Sequence, residues 1–229
     1  MFAPPKTYNE MLRRLHWSTA ILTFIYTAVL TLFGYFPELH PAKDMVPPIA
    51  VAGNRELLPW ALAAFGVIPV VSAIAAYVVS RFFEVHNLLA KAIQLRFVWD
   101  KYNIVKPLRD RAGSDMPLDR SNVKRVMNEF YYSAVKKIDQ HYVELFWRYA
   151  LPFWALFEHL LVVAVSLLIL ALLKAPHISW IAGYLFLVLA VSILHYFFIV
   201  TKKTQDQVAQ IPTDDIKSYF KRSQLIARL

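Results

Sequence analysis

The chain has 229 residues, 58% of them hydrophobic, and a mean hydropathy of +0.41. This composition is too apolar for an ordinary soluble domain, and the absence of cysteine excludes disulfides and thiolate metal sites. A net charge of +9 indicates either membrane topology with anionic headgroup contact or an anionic cytosolic ligand.

Four apolar stretches are each long enough to cross about 30 Å of hydrocarbon as a helix. They cover residues 17–36, 57–80, 149–173 and 178–200. The sequence therefore predicts an all-α integral membrane protein with four transmembrane helices. We expect a retained first helix rather than a cleaved signal, because no small-residue cleavage site follows it.

Basic residues are concentrated in segments 81–148 and 201–229, whereas the connection 37–56 carries only Lys43 and Arg55. The positive-inside rule then places both termini and the central segment in the cytoplasm, with the protein in the inner (plasma) membrane. The predicted organisation is an N-terminal transmembrane hairpin, a cytoplasmic helical stalk, a C-terminal transmembrane hairpin and a cytoplasmic amphipathic tail. These cover residues 1–80, 81–148, 149–200 and 201–229, respectively.

A stripe of threonines recurs every fourth position in the first span, at Thr19, Thr23, Thr27 and Thr31. In one interpretation the hydroxyls bond the i−4 carbonyls and the stripe packs against another helix. In the other, the stripe lines a pore in a homo-oligomer, since hydroxyl rings can replace part of an ion's hydration shell. Pro69 lies within the second span and would then provide the hinge that gates the pore.

A heptad-like pattern follows the second span and predicts a helical hairpin stalk formed by extensions of helices two and three. It predicts that the second span continues as one helix to about Lys106, where Pro107 ends it. Ser121 is the expected N-cap of the returning helix, which would run directly into the third span. The amphipathic tail after Pro212 is expected to dock on the stalk or to lie on the inner leaflet.

Four basic side chains on this stalk are candidates to bind an anionic cytosolic ligand such as a nucleotide, or a partner protein. They are Arg96, Lys101, Lys106 and Arg109. The alternative is that they form an ordinary solvated helix face. No pattern for direct DNA readout is present, and there is no phosphate loop, Ser/His/Asp ordering or pair of catalytic carboxylates. A membrane enzyme that uses Glu158 with histidines is a further alternative.

Ionisable side chains within the spans are candidate functional groups, because their burial is costly unless they are paired. Glu158 and His159 lie deep in the third span, while His16 and His195 lie near span ends. Glu158 is a candidate gating residue. It could join a proton or cation site, a metal site of unknown identity, or a structural buried pair with Arg148 or a histidine. Adjacent helical residues diverge by about 100°, so Glu158 and His159 are not expected to face one small site.

One local motif indicates a cofactor. The sequence "RLHW" at residues 14–17, followed by "GYFP" at 34–37, resembles the first helix of bacterial four-helix membrane b-type cytochromes. In that family the histidine of the "HW" pair is a haem ligand. The resemblance thus implies haem b bound by His16, with His159 and His195 as further ligand candidates.

The overall arrangement resembles small four-span membrane effectors of prokaryotic antiviral systems. This resemblance implies an oligomeric channel or membrane-perturbing effector, without a cofactor, gated by its cytoplasmic stalk through a shift in stalk packing. The expected partners are the lipid bilayer, further copies of the chain and an anionic cytosolic signal. The alternatives are a haem-binding redox protein and a membrane scaffold.

Overall fold

The computed structural model describes residues 5, 7–33, 66–175 and 178–226, with side chains described through residue 223. All regular secondary structure in these ranges is helical, so the all-α prediction is confirmed. The α-helices are α1 (Tyr8–Leu32), α2 (Val67–Phe83), α3 (Val85–Ala92), α4 (Leu95–Trp99), α5 (Lys106–Ala112), α6 (Arg120–Val126), α7 (Tyr132–Ala134), α8 (Gln140–Leu172), α9 (Ile178–His195), α10 (Thr201–Ala209) and α11 (Thr213–Ile226). Three π-helical segments join neighbouring helices: Asp100–Val105, Met127–Tyr131 and Tyr196–Val200.

Several of these helices are long and apolar enough to cross a membrane. Within the described ranges there are three, Tyr8–Leu32, Gln140–Leu172 and Ile178–Ala209. The pair Val67–Phe83 and Val85–Ala92 qualifies as a fourth if it is counted as one broken span. The described helices are therefore consistent with a multi-pass helical membrane protein.

The helix that follows the second span is not continuous, and this prediction was wrong. Glu84 and Gln94 have φ values of 44° and 56°, in the left-handed region that ends an α-helix. They separate α3 from α2 on one side and from α4 on the other. The stalk-gating hypothesis had relied on an unbroken helix here, so it loses that support.

Pro107 does not end the helix either. It lies in the first turn of α5, directly after the π-helical segment Asp100–Val105, and the helix ends only at Gly113 with a φ of 64°. The wider π-helical turn accommodates a residue that lacks an N–H and whose ring crowds the preceding turn.

The start of the returning helix also differs from the prediction. Asp119, not Ser121, is the N-cap of α6, and its carboxylate accepts from the Asn122 backbone N–H at 2.8 Å and from Ser121 Oγ at 2.7 Å. The helix does not run directly into the third span, because Ile138 is extended (φ −81°, ψ 168°) and α8 begins at Gln140.

The chain forms two compact units. Unit 1 comprises Met1–Met11, Asn87–Phe153 and Ser192–Leu229, and unit 2 comprises Leu12–His86 and Trp154–Val191. Unit 1 has a core that includes the buried side chains of Val105, Leu108, Val126, Ile216 and Phe220. Unit 2 has a core of Tyr26, Leu30, Val163, Leu170 and Ile181.

The C-terminal tail packs within unit 1, as the docked alternative predicted. Arg111 donates to the carbonyls of Val208 at 2.9 Å and Ile211 at 2.8 Å, and to Thr213 Oγ1 at 3.0 Å. The Tyr219 ring stacks on Phe130 with centroids 4.9 Å apart. Arg111 therefore joins the Val208 carbonyl in the last turn of α10 to the Ile211 carbonyl and the Thr213 hydroxyl, where the chain turns into α11.

Candidate functional site

The most polar buried cluster in unit 2 surrounds Glu158, which α8 places in the membrane-spanning part of the chain. The residue as a whole is 2% exposed. Its Oε2 accepts a hydrogen bond from Thr19 Oγ1 of α1 at 2.6 Å and one from Ser80 Oγ of α2 at 2.7 Å. The carboxylate thus joins three helices through short hydrogen bonds to hydroxyl groups.

The other carboxylate oxygen faces the start of α3. Glu158 Oε1 lies 3.2 Å from the His86 backbone N–H and 3.1 Å from His86 Nδ1, and both groups can donate to it. His86 is the second residue of α3, where backbone N–H groups have no intrahelical partner and where the helix dipole favours a negative charge. The left-handed turn at Glu84 starts a new helix at this point and thereby creates this binding position for the carboxylate.

The number of protons available on each group determines which groups donate in the Glu158 cluster. A carboxylate with hydroxyl, amide and imidazole donors around it acts in its acceptor-only, ionised form. Ser80 has one hydroxyl proton, which goes to Glu158, so Ser80 Oγ must accept from His16 Nδ1 at 2.8 Å. His16 and His86 therefore both carry a proton on Nδ1, and in the neutral imidazole the lone pair is on Nε2.

The Nε2 atom of His86 is the chemically distinctive part of this cluster. It is buried and has no hydrogen-bond partner among the described residues. The ring lies edge-on to Trp154, with centroids 5.8 Å apart. Among the described residues, Glu158 is the acidic side chain that contacts His86, so a proton added at Nε2 would make the pair electrically neutral.

His159 belongs to a different cluster of unit 2, as its helical position predicted. Its Nε2 lies 2.9 Å from Tyr184 Oη, and its ring meets Tyr26 edge-on at 5.5 Å. Tyr26 and Tyr184 stack on each other at 5.5 Å and also line an apolar cavity of about 570 Å³. His159 Nδ1 is buried and has no hydrogen-bond partner among the residues that the structure describes.

Sequence comparisons found a protein family and a relative that resemble the chain. The profile of the YmfE protein family matches residues 7–222, which is nearly the whole chain. The chain belongs to the YmfE family. It is 38% identical over 233 residues to an Escherichia coli K12 protein described as "Uncharacterized protein YmfE", with 98% of each chain covered. No solved structure matches the chain.

The family assignment does not test the predicted haem ligands, so we compare the hydrogen-bond partners of each histidine. His195 Nε2 lies 2.9 Å from the Tyr149 carbonyl in unit 1, whereas His16 and His159 have the separate partners given above. The structure does not bring the three predicted ligands together. Across the described ranges, no three His, Asp or Glu side chains are arranged to hold a metal ion.

The threonine stripe faces the interior of unit 2. All four side chains are 7% exposed or less. Thr23, Thr27 and Thr31 each donate to the carbonyl four residues earlier, at 2.7, 2.7 and 2.9 Å, and Thr19 donates to Glu158. This arrangement favours the packing interpretation over a pore between subunits, because the hydroxyls already have partners inside the chain.

Pro69 lies in the first turn of α2, where proline is tolerated without a kink. The predicted mid-span hinge therefore has no bend at Pro69 within the described residues, and the break falls at Glu84 instead. Residues 57–65 of the predicted second span lie outside the described residues.

The four predicted ligand-binding cations do not form one focused group. Arg109 pairs with neighbouring Asp110 at 2.7 Å, and Arg96 donates to Tyr132 Oη at 3.3 Å. Lys101 lies 5.2 Å from the centroid of the Tyr102 ring, and Lys106 is exposed. No shared phosphate-sized site is formed by their described contacts.

Sequence reasoning missed Ser80 and His86. The available signal was weak: Ser80 is the last residue of the predicted second span and His86 follows it, whereas Glu158 was predicted to lie deep in the third span. The turn at Glu84 that brings His86 to the carboxylate cannot be recognised from the sequence, because neither glycine nor proline is present there.

Proposed function

We propose that this chain is a four-span inner-membrane protein with cytoplasmic termini that acts as a channel or membrane-perturbing effector, and that the Glu158–His86 pair is its gate. The observation that carries the proposal is a buried carboxylate bound to a histidine whose second nitrogen is buried and unpartnered. Ionisable groups inside membrane spans are costly and mark ion or proton sites by default.

The gate works through the charge of the pair. With neutral His86, the pair carries one negative charge in a low-dielectric region, and protonation at Nε2 removes that net charge. Removing the uncompensated charge from a buried pair changes its free energy by several kcal/mol, which is enough to shift a two-state equilibrium between packings. Arg81, Glu84 and His16 are the other charged or titratable groups whose electrostatic influence reaches this cluster.

Coupling to the cytoplasm runs through the start of α3 rather than through a continuous helix. The backbone N–H of His86 is bound by Glu158, so movement of α3 changes the number of donors on the carboxylate. A cytosolic signal that favours one arrangement of the segment after Glu84 would then bias the gate. The helical-hairpin stalk, the homo-oligomer and the defence role stay predictions.

The test is ion flux into liposomes that contain the purified full-length protein, measured with a pH-sensitive and a potential-sensitive dye. We expect wild-type flux to depend on pH, and Glu158→Gln to change it at least tenfold and remove the pH dependence. The matched control is Glu144→Gln on the same helix, which is expected to behave as wild type. Absence of flux from the folded wild type, or unchanged flux in Glu158→Gln, would contradict the proposal.

Haem binding is the second candidate, and one observation favours it. His16 and His86 both have Nδ1 engaged, which leaves Nε2 as the metal-binding nitrogen, and Glu158 orients His86 as carboxylates orient metal-bound histidines. An absorption spectrum of the protein in mild detergent, with a reduced-minus-oxidised difference, separates the candidates. A Soret band near one haem per chain would replace the channel proposal, and a colourless, flux-competent protein would exclude haem.

A further inference from the structure

The segment directly after the second span exposes apolar side chains that its own unit does not cover. In α3 and the residues that follow it, Leu88, Ile93 and Val98 are 54%, 61% and 40% exposed. Exposed aliphatic side chains at this density are unusual on a helix that faces water.

The exposed face of α3 has two different flanks. Leu88 and Ala92 are one helical turn apart, and Asn87 and Lys91 are one turn apart on the adjoining side. Ala90 and Val85 are buried on the remaining side. A short helix with a buried side, an apolar flank and a basic flank has the pattern of helices that lie in the plane of a membrane interface.

The backbone turns on either side of α3. Glu84 and Gln94 adopt left-handed φ values of 44° and 56°, although neither is glycine. Such conformations cost about 1 kcal/mol or more and persist where the surrounding structure requires them. The chain therefore changes direction at two places, which a straight stalk helix would not require.

The basic side chains here form no salt bridge among the described residues. Lys91 is exposed and Lys101 is half-buried, while Arg96 donates to Tyr132 Oη at 3.3 Å and interacts electrostatically with Asp100 without a direct ion pair. Lys101 lies over the Phe97 and Tyr102 rings, at 5.7 and 5.2 Å from their centroids. Basic residues with apolar neighbours are typical of surfaces that bind anionic lipid headgroups.

We propose that the segment from Asn87 to Trp99, which follows the buried His86, lies in the headgroup layer of the inner leaflet. Leu88, Ile93 and Val98 enter the acyl boundary, and Lys91 and Arg96 bind the phosphates of anionic phospholipids. The membrane is the occupant because the segment follows α2, a helix whose apolar side chains include Val71 and Ile74, both 53% exposed. Phe82 and Phe83 at the end of α2 are 76% and 62% exposed, and only Glu84 separates Phe83 from α3.

The first experiment measures the depth of the segment. The chain has no cysteine, so single substitutions Leu88→Cys and Ile93→Cys can be labelled with an environment-sensitive fluorophore without further changes. Lys221→Cys on the exposed side of α11 is the control. In liposomes, we expect nitroxide-labelled lipid chains to quench the first two labels several-fold more than the control, and aqueous iodide to quench them less.

Equal iodide quenching of all three labels would overturn the proposal, since the segment would then lie in water. Protection of the Leu88 and Ile93 labels from both quenchers would also overturn it, because a second copy or another protein would cover the surface.

The second experiment measures lipid selectivity. Spin-labelled phosphatidylglycerol is expected to associate with the wild-type protein more strongly than spin-labelled phosphatidylcholine. The double variant Lys91→Gln/Arg96→Gln should lower this preference about fivefold per residue, from about 1 kcal/mol for each basic side chain near the surface. Lys217→Gln/Lys221→Gln on α11 is the matched control and should leave the preference unchanged.

Equal selectivity in the two double variants would overturn the headgroup assignment. Loss of the wild-type preference in millimolar inorganic phosphate, but not in sodium chloride of equal ionic strength, would also overturn it in favour of a soluble-phosphate site.

Discussion

His86 Nδ1 and Glu158 Oε1 lie 3.1 Å apart although the residues are 72 positions apart in the sequence. Both side chains are almost wholly buried, at 3% and 1% exposed. This pair links the end of one apolar segment to the middle of another. It connects the start of α3 to α8 through one buried carboxylate.

Glu158→Gln is expected to destabilise the protein by about 3 kcal/mol, because it leaves His86 without its charged partner and places an amide donor among other donors. At 2–4 °C per kcal/mol, the thermal midpoint in detergent should fall by about 6–12 °C. Circular dichroism measures it. Glu144→Gln should shift the midpoint by less than 2 °C, and an equal shift in both variants would contradict the assigned role of Glu158.

The four threonines are expected to differ in importance. Thr19→Val removes a donor from the buried carboxylate and should cost about 2 kcal/mol. Thr23→Val and Thr27→Val remove only bonds to carbonyls that already accept a helical hydrogen bond, so each should cost less than about 0.5 kcal/mol. Thermal midpoints and liposome flux test this together. A flux change in Thr23→Val or Thr27→Val without loss of stability would support the threonine-lined pore instead.

Asp100 should make unit 1 more stable at acidic pH. Burial raises the pKa of its carboxyl from 3.8 to about 6, against the opposing effect of Arg96. A raised folded-state pKa gives stability that is present below pH 3.8 and lost as the pH rises through about 6. Asp100→Asn should flatten this dependence and stabilise the protein above pH 7 by at most about 3 kcal/mol, at about 1.4 kcal/mol per pKa unit.

Thermal midpoints measured from pH 3.5 to 8 test the Asp100 prediction. Asp119→Asn is the opposite control, because the Asn122 backbone N–H lowers the pKa of the Asp119 carboxyl. The contribution of the Asp119 carboxylate to stability should be present at neutral pH and lost on acidification. Parallel pH profiles for wild type and Asp100→Asn would contradict the prediction.

Arg111 is expected to hold the C-terminal tail in place. Arg111→Lys keeps the charge but cannot form the three hydrogen bonds to Val208, Ile211 and Thr213 at once. Limited proteolysis within α11 should become about tenfold faster, which corresponds to about 1.4 kcal/mol in local stability. Arg109→Lys, which loses only contacts to adjacent Asp110, should leave the rate unchanged, and equal rates in all three proteins would argue against this role.

The sequence predicts the elements well where apolar length and periodicity decide them. Long apolar runs identify the membrane helices, and one-turn threonine spacing predicts bonds to i−4 carbonyls, which three of the four threonines form. Thr19 differs because a tertiary partner, Glu158, competes for its hydroxyl. No local sequence pattern indicates that Glu158 is the partner of Thr19.

The breaks in the helices were not predictable in the same way. Glu84 and Gln94 are residues that favour helices, yet both are left-handed in the structure. Their conformation depends on what the following segment contacts, which is tertiary information. The position of His86 at the carboxylate follows from the Glu84 turn, so the central contact of the candidate site was hidden for the same reason.

The protonation state of His86 in bilayers decides whether the Glu158–His86 pair is a gate or a structural contact. Solid-state nitrogen NMR of histidine-labelled protein, assigned with His86→Gln, reports each ring nitrogen as pH is lowered. We expect a proton on Nδ1 and none on Nε2 at alkaline pH. Protonation of Nε2 should coincide with the change in liposome flux, and Glu158→Gln should abolish this coincidence. A proton on Nε2 with bare Nδ1 at alkaline pH, or protonation of Nε2 without any change in flux, would contradict the gate.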